Sequence, residues 1–86
     1  MIVKIINKDK SELHLNIERE LEVDKHSVEI SQYDINGYYQ AGLCRNIEGM
    51  SEGSIFIQIN RAVNRGCKVF GISGSGRIIN HKQLSF

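Results

Sequence analysis

The sequence predicts an α+β fold: an antiparallel β-meander of about four strands, then one helix and a C-terminal β-hairpin, packed as a two-layer sandwich. Three observations support this prediction. Apolar residues recur at every second position in the first half of the chain, Asn36-Gly37 separates two such runs, and a later stretch has helical spacing with a glycine at its end. With 86 residues, the chain is predicted to form a single small domain, residues 1–86.

The first two strands are predicted to form a hairpin. The runs IVKII and ELHLNIERELEV alternate apolar and polar residues, and the polar linker NKDKS between them is typical of a turn. The second run is predicted to stay extended as far as Val23. That prediction places three acidic side chains on one strand face: Glu18, Glu20 and Glu22.

The stretch YDINGYY predicts a second hairpin. Asn36 and Gly37 both tolerate positive φ and suit the central pair of a type I′ turn, which pairs Tyr33 with Gln40. Because side chains alternate along a strand, this register predicts one apolar face, made of Val28, Ile30, Tyr39, Ala41 and Leu43.

Residues 54–65 fit two patterns. Read as a helix, they carry an apolar stripe and stop at Gly66; the stripe is Ile55, Ile59, Ala62 and Val63. Read as a strand, Ile55, Ile57 and Ile59 alternate with polar and aromatic residues, which makes an all-β fold the alternative. The glycine stop and the strand-like CKVFGIS that follows favour the helix, and RIIN predicts a short last strand.

The glycine-rich stretch GISGSGRIIN resembles a phosphate-binding loop only superficially. Its glycines have the order GxxGxG, no helix can follow in the few residues that remain, and no hydroxyl residue follows a lysine as in a P-loop. The stretch therefore predicts a hairpin turn. A weaker functional reading is that its backbone amides, together with Arg77, face an anion.

Charges are unevenly distributed along the chain. Residues 1–50 carry six basic and nine acidic groups, whereas residues 51–86 carry five basic groups and one acidic group. The basic last third favours a polyanion as partner. The leading hypothesis is a small non-enzymatic binding protein that contacts RNA or DNA phosphates through Arg61, Asn64, Arg65, Lys68, Ser75, Arg77 and Lys82.

The alternative hypothesis is an inhibitor or adaptor, of the kind found in phages and mobile elements, that binds a protein partner. The candidate contacts lie on the sheet face and the acidic strand: Tyr33, Tyr38, Glu18, Glu20 and Glu22. A small core leaves little margin of stability, so a homodimer is a further possibility.

Several chemistries are not expected. The three histidines lie at no recognisable metal spacing, and neither cysteine has a CxxC neighbour, so no catalytic residue, metal or cofactor is predicted. The N-terminus lacks the features of a signal peptide, and no apolar run approaches the length of a membrane span. The expectation is a cytoplasmic protein with reduced thiols and no membrane contact.

Overall fold

The computed structural model describes all 86 residues, which form six strands and one α-helix. The strands are β1 (Ile2–Ile6), β2 (Glu12–Arg19), β3 (His26–Tyr33), β4 (Arg45–Met50), β5 (Lys68–Ile72) and β6 (Ile78–Asn80). The helix is α1 (Glu52–Asn64), and short 3₁₀ turns occupy Ala41–Leu43 and His81–Gln83. The α+β class is confirmed, and the all-β alternative is wrong.

All six strands belong to one antiparallel sheet in the order β4-β3-β2-β1-β5-β6. The sequence predicted a meander of about four strands with a separate closing hairpin. The closing hairpin instead extends the same sheet, because β5 pairs with the free edge of β1. Helix α1 carries the chain from the outer strand β4 back to β5, and it therefore lies across one side of the sheet.

Local signals explain the limits of α1. The Ser51 hydroxyl accepts a hydrogen bond from the backbone N–H of Ser54 at 3.2 Å, which satisfies one of the free donors of the first turn. Ile55, Ile59 and Ala62 are buried at helical spacing, and Gly66 follows the helix with a φ of +85°. The strand reading of this stretch fails because the buried positions repeat at three and four residues, not two.

The core lies between α1 and the sheet. It contains eleven apolar side chains: Val3, Ile5, Leu15, Ile17, Val28, Ile30, Ile55, Ile59, Ala62, Val69 and Leu84. Those on strands alternate with exposed or half-buried residues, as a sheet covered on one side requires. We call the covered side of the sheet the helix side and the other the open face.

The second hairpin is present, but its predicted register is wrong. Tyr33 pairs with Tyr39 instead of Gln40, and Gly37 alone in the turn has a positive φ, of +84°. The Asp34 carboxylate accepts the backbone N–H groups of Asn36 and Tyr38, both at 2.9 Å. These bonds stabilise a type I turn that ends in a glycine bulge, in place of a type I′ turn.

This register change alters which side chains face the core. After Gln40 the chain leaves the sheet through the 3₁₀ turn Ala41–Leu43, and it rejoins β3 where Arg45 pairs with Ile30. Ala41 and Leu43 are therefore exposed, contrary to prediction. Arg45 takes the place opposite Ile30 that the predicted register gave to Leu43, and Ile47 and Met50 pair with Val28 and His26.

Strand β2 ends four residues earlier than the predicted limit at Val23. Arg19 pairs with His26, and the chain turns between Glu20 and Lys25, where the Glu20 N–H donates to the Lys25 carbonyl at 3.0 Å. Leu21 is 91% exposed, so its apolar side chain does not continue the buried pattern. Glu20 and Glu22 consequently lie in the turn and not on a strand face with Glu18.

The C-terminal segment closes one end of the core. Leu84 is buried over Gly71, where a Cβ atom would collide with the Leu84 methyl group. Phe86 lies edge-on to His26, with ring centroids 6.2 Å apart, and also contacts Phe56. His26 is only 1% exposed, and neither of its ring nitrogens has a hydrogen-bonding partner.

The helix α1 is not long and apolar enough to span a bilayer.

Candidate functional site

A cleft opens on the helix side, between α1 and strands β2 to β4. Its volume is about 170 Å³. The apolar interior is formed by eight side chains: Ile5, Leu13, Leu15, Val28, Ile30, Ile47, Met50 and Ile55. Four polar side chains complete its lining: Gln32, Arg45, Gln58 and Arg65. An apolar cavity with a few convergent polar groups is the usual form of a ligand site.

Two elements supply the arginines of the cleft. Arg45 is the first residue of β4, and its pairing with the buried Ile30 directs its side chain to the helix side. Arg65 is the C-cap residue of α1, and its N–H donates to the Arg61 carbonyl at 3.0 Å. Arg61 lies on the same stripe of the helix, one turn from both Gln58 and Arg65. We call Arg45, Arg61 and Arg65 the arginine surface.

The three guanidinium groups have no carboxylate partner. The close contacts between basic and acidic side chains are His14–Glu12 at 2.9 Å and Arg19–Asp24 at 3.5 Å, and neither involves the arginine surface. A guanidinium stays protonated at any physiological pH and offers five N–H donors in a planar fork. The arginine surface therefore presents a fixed positive charge to solvent above an apolar cleft.

The open face has the opposite charge over the same strands. Glu18, Glu29 and Glu48 line a shallow depression of about 190 Å³ on β2 to β4. Glu29 pairs there with Asn46, one residue before the position at which Ile30 pairs with Arg45. Alternation along β3 and β4 thus places a glutamate on one side of the sheet and an arginine on the other.

The structure separates the predicted nucleic-acid contacts into several groups. Arg61, Asn64 and Arg65 lie together in or just after the last turn of α1. Lys68 lies on the open face, because the adjacent Val69 is buried on the helix side, and its Nζ is 5.7 Å from the Phe70 ring centroid. Lys82 belongs to the 3₁₀ turn after β6.

Ser75 and Arg77 lie in the hairpin turn between β5 and β6, as the turn reading of GISGSGRIIN predicted. Ser73 N–H donates to the Arg77 carbonyl, Gly76 N–H to the Ser73 carbonyl, and Arg77 N–H to the Ser73 hydroxyl. Three backbone amides are therefore used inside the turn, which leaves those of Gly74 and Ser75 without an acceptor. Gly76 has a φ of +83°, so its glycine serves the turn geometry.

The residues predicted for a protein partner are also dispersed. Tyr33 is half-buried on the open face, where its ring lies 4.5 Å from His14 and 5.6 Å from Tyr39. Tyr38 is 69% exposed in the neighbouring turn. The neighbouring Cys44 side chain is the main cause that raises the pKa of the Tyr39 phenol. Glu18 is the second-last residue of β2, and Glu20 in the following turn accepts the Gly49 N–H at 2.7 Å.

Arg45 is a candidate site residue that the sequence did not indicate. It belongs to the acidic half of the chain, and the residues assigned to the apolar face of the predicted hairpin ended at Leu43. Its signal is its alternation with Ile47, which becomes informative only once Arg45 is paired with Ile30.

The two cysteines form no disulfide. Both cysteines are free, and their thiols donate separately, Cys44 to the Gln40 carbonyl and Cys67 to the Asn7 side chain. No group of three or more potential ligands is arranged to hold a metal ion.

No protein-family model, curated protein or solved structure matches this chain. The geometry of the cleft and the arginine surface is therefore the basis for inferring a function.

Proposed function

We propose that this protein is a non-enzymatic binding domain that contacts the phosphates of nucleic acid through the arginine surface. One observation supports the proposal above the others: Arg45 and Arg65 line one cleft, Arg61 lies one helical turn from Arg65, and none of the three has a carboxylate partner. Arginine is the side chain best suited to phosphate, because its fork donates two parallel hydrogen bonds and stays charged.

The opposite charge of the open face gives the interaction a direction. Glu18, Glu29 and Glu48 repel phosphate from β2 to β4 on that side, whereas the helix side attracts it. The net charge of the chain is only +1, so overall charge cannot produce the attraction. The proposal consequently depends on how the charges are divided between the two faces.

The proposal is tested by removing charge from one face at a time. Arg45→Ala/Arg61→Ala/Arg65→Ala removes three positive charges from the helix side. The matched control Lys4→Ala/Lys68→Ala/Lys82→Ala removes the same number elsewhere. With fluorescently labelled RNA and DNA at about 50 mM salt, we expect anisotropy to show at least a tenfold loss of affinity for the arginine variant and little change for the lysine variant. Equal losses in both variants would contradict a face-specific site.

A second candidate function, binding of a protein partner, is supported by the connection between β3 and β4. Four large side chains there are each more than half exposed: Ile35, Tyr38, Tyr39 and Leu43. Exposed aromatic and aliphatic residues concentrated in one short segment are typical of a protein contact. A second copy of this chain is the simplest such partner.

Sedimentation velocity separates these possibilities. A homodimer through this segment predicts a concentration-dependent dimer in the wild type that Tyr38→Ser/Leu43→Ser abolishes. A different protein partner predicts a monomer that retains a stoichiometric band from nuclease-treated lysate, lost in the same variant. If neither occurs, this second function is excluded for the segment.

A further inference from the structure

We propose that the cleft beneath the arginine surface holds one unpaired nucleobase, so that the protein binds single strands in preference to duplexes. This inference rests on the proposed function and adds the class of nucleic acid to it. The cleft and the arginine surface share Arg45 and Arg65, so one ligand must satisfy both. That ligand combines an anionic group with an apolar body, as a nucleotide does.

The shape of the cleft fits a single base. A volume of about 170 Å³ is close to the roughly 150 Å³ of an apolar protein cavity that binds benzene, which suits one ring system and no base pair. Eight of its twelve lining residues are apolar, and five of them belong to the buried core. The cleft therefore reaches into the protein and offers the faces of a base an aliphatic surface.

The polar lining supplies groups that read base edges. The Gln58 side chain makes no hydrogen bond within the protein, so its amide donor and its carbonyl acceptor are both free. Gln32 donates from Nε2 to the Leu43 carbonyl at 3.1 Å, which fixes the side chain and leaves its Oε1 as an acceptor. Carboxamide side chains of this kind pair with the exposed edges of unstacked bases.

Duplexes are disfavoured because their bases are stacked and paired. Filling the cleft from a duplex requires one nucleotide to be extruded, and that cost is absent for a flexible single strand. The arginine surface contacts the phosphates of either form. We therefore expect a single strand to bind at least tenfold more tightly than a duplex of the same length.

The test compares three labelled DNA probes of equal length with wild-type protein: a single strand, the same strand with abasic positions, and the duplex. The abasic strand keeps every phosphate, so the comparison isolates the base. We expect the abasic strand and the duplex each to bind at least tenfold more weakly than the intact strand. Equal binding of the intact and abasic strands would overturn the inference and leave phosphate contact intact.

Two variants connect this preference to the cleft. Ile47→Trp fills the cleft from its β4 wall, and we expect it to reduce single-strand affinity to the abasic level. Ile57→Trp adds the same ring to the exposed side of α1 and serves as the control. A single-strand preference that survives Ile47→Trp would place the base elsewhere. Failure of all three probes to bind would instead remove the proposed function.

Discussion

The two faces of the sheet differ in what covers them and in the charge that they carry. The helix side buries eleven apolar side chains and exposes the arginine surface at its margin. The open face is uncovered and displays Glu18, Glu29 and Glu48 on β2 to β4. The division does not follow the sequence halves: Arg45 comes from the acidic half, and Lys68 of the basic third lies on the open face. Strand alternation, more than the order of charges along the chain, determines which surface a partner meets.

The largest expected effect is the loss of stability when a buried isoleucine, and not an exposed one, is shortened to alanine. Ile59 of α1 is 1% exposed, whereas Ile78 of β6 is 70% exposed. We expect Ile59→Ala to lower the free energy of unfolding by about 2–5 kcal/mol, because it removes buried methyl groups and leaves a cavity. Ile78→Ala is the control, with an expected change of about 0.5 kcal/mol or less. Urea denaturation followed by far-UV circular dichroism measures both, and equal losses would contradict the assignment of one buried face.

A buried histidine provides the next comparison. His26 has two ring nitrogens without partners, whereas His14 on the open face contacts Glu12 at 2.9 Å. We expect His26→Leu to raise the free energy of unfolding by about 1 kcal/mol, because an unsatisfied buried polar group is removed. His14→Leu loses a hydrogen bond and should give no gain. Thermal unfolding of both variants decides the matter: a strong destabilisation by His26→Leu would show that the imidazole is hydrogen-bonded in solution.

The β1–β2 turn and the β5–β6 turn each contain a residue with a left-handed backbone, which is a lysine in the first turn and a glycine in the second. Lys10 in the β1–β2 turn has a φ of +78°, close to the +83° of Gly76 in the β5–β6 turn. A residue with a Cβ atom pays about 1–2 kcal/mol to adopt a left-handed conformation, and glycine avoids this cost. Glycine also loses more backbone entropy on folding, so the net gain from Lys10→Gly is smaller than this cost. We expect Lys10→Gly to stabilise the protein by about 0.5 kcal/mol and Gly76→Ala to destabilise it by about 1 kcal/mol. Urea denaturation measures both changes, and a loss of stability in Lys10→Gly or a gain in Gly76→Ala would contradict this reasoning.

The smallest expected effect is electrostatic and concerns the same β1–β2 turn. The backbone N–H and the hydroxyl of Ser11 donate to Asp9 Oδ1 at 2.9 and 2.6 Å, and the hydroxyl bond is the main cause that lowers the pKa of Asp9. A lowered carboxyl pKa adds stability at neutral pH that is lost as the pH falls through the acidic range. Asp9→Asn should therefore lower the urea midpoint slightly at pH 7 and lower it less at about pH 3. A larger decrease at the lower pH would show that folding does not lower the pKa of Asp9.

The sequence was most informative where one local signal decides the structure. The β1–β2 hairpin, the helix with its stop at Gly66, and the β5–β6 turn all follow from alternation, helical spacing or glycine placement. The register after Asn36-Gly37 does not, because the Asp34 carboxylate competes for the turn amides and selects a different turn. The end of β2 fails for a similar reason: the pairing of Arg19 with His26 stops a strand whose own pattern continues.

The candidate site was only partly predictable. Arg61 and Arg65 were identified because their spacing suits one side of a helix. Arg45 and the cleft depend on the register between β3 and β4 and on the path of α1 across the sheet, which are long-range properties. Lys68 was grouped with the arginines from its nearness in sequence, but the face on which it lies depends on Val69, which packs on the opposite side.

The salt dependence of single-stranded DNA binding tests the central claim most directly. Three phosphate contacts predict a slope of about −2 for the logarithm of affinity against the logarithm of salt concentration, at roughly −0.7 per contact. The account predicts this slope for wild type and for Lys4→Ala/Lys68→Ala/Lys82→Ala, and a slope near zero for Arg45→Ala/Arg61→Ala/Arg65→Ala. A slope that the arginine substitutions leave unchanged would contradict recognition through the helix side.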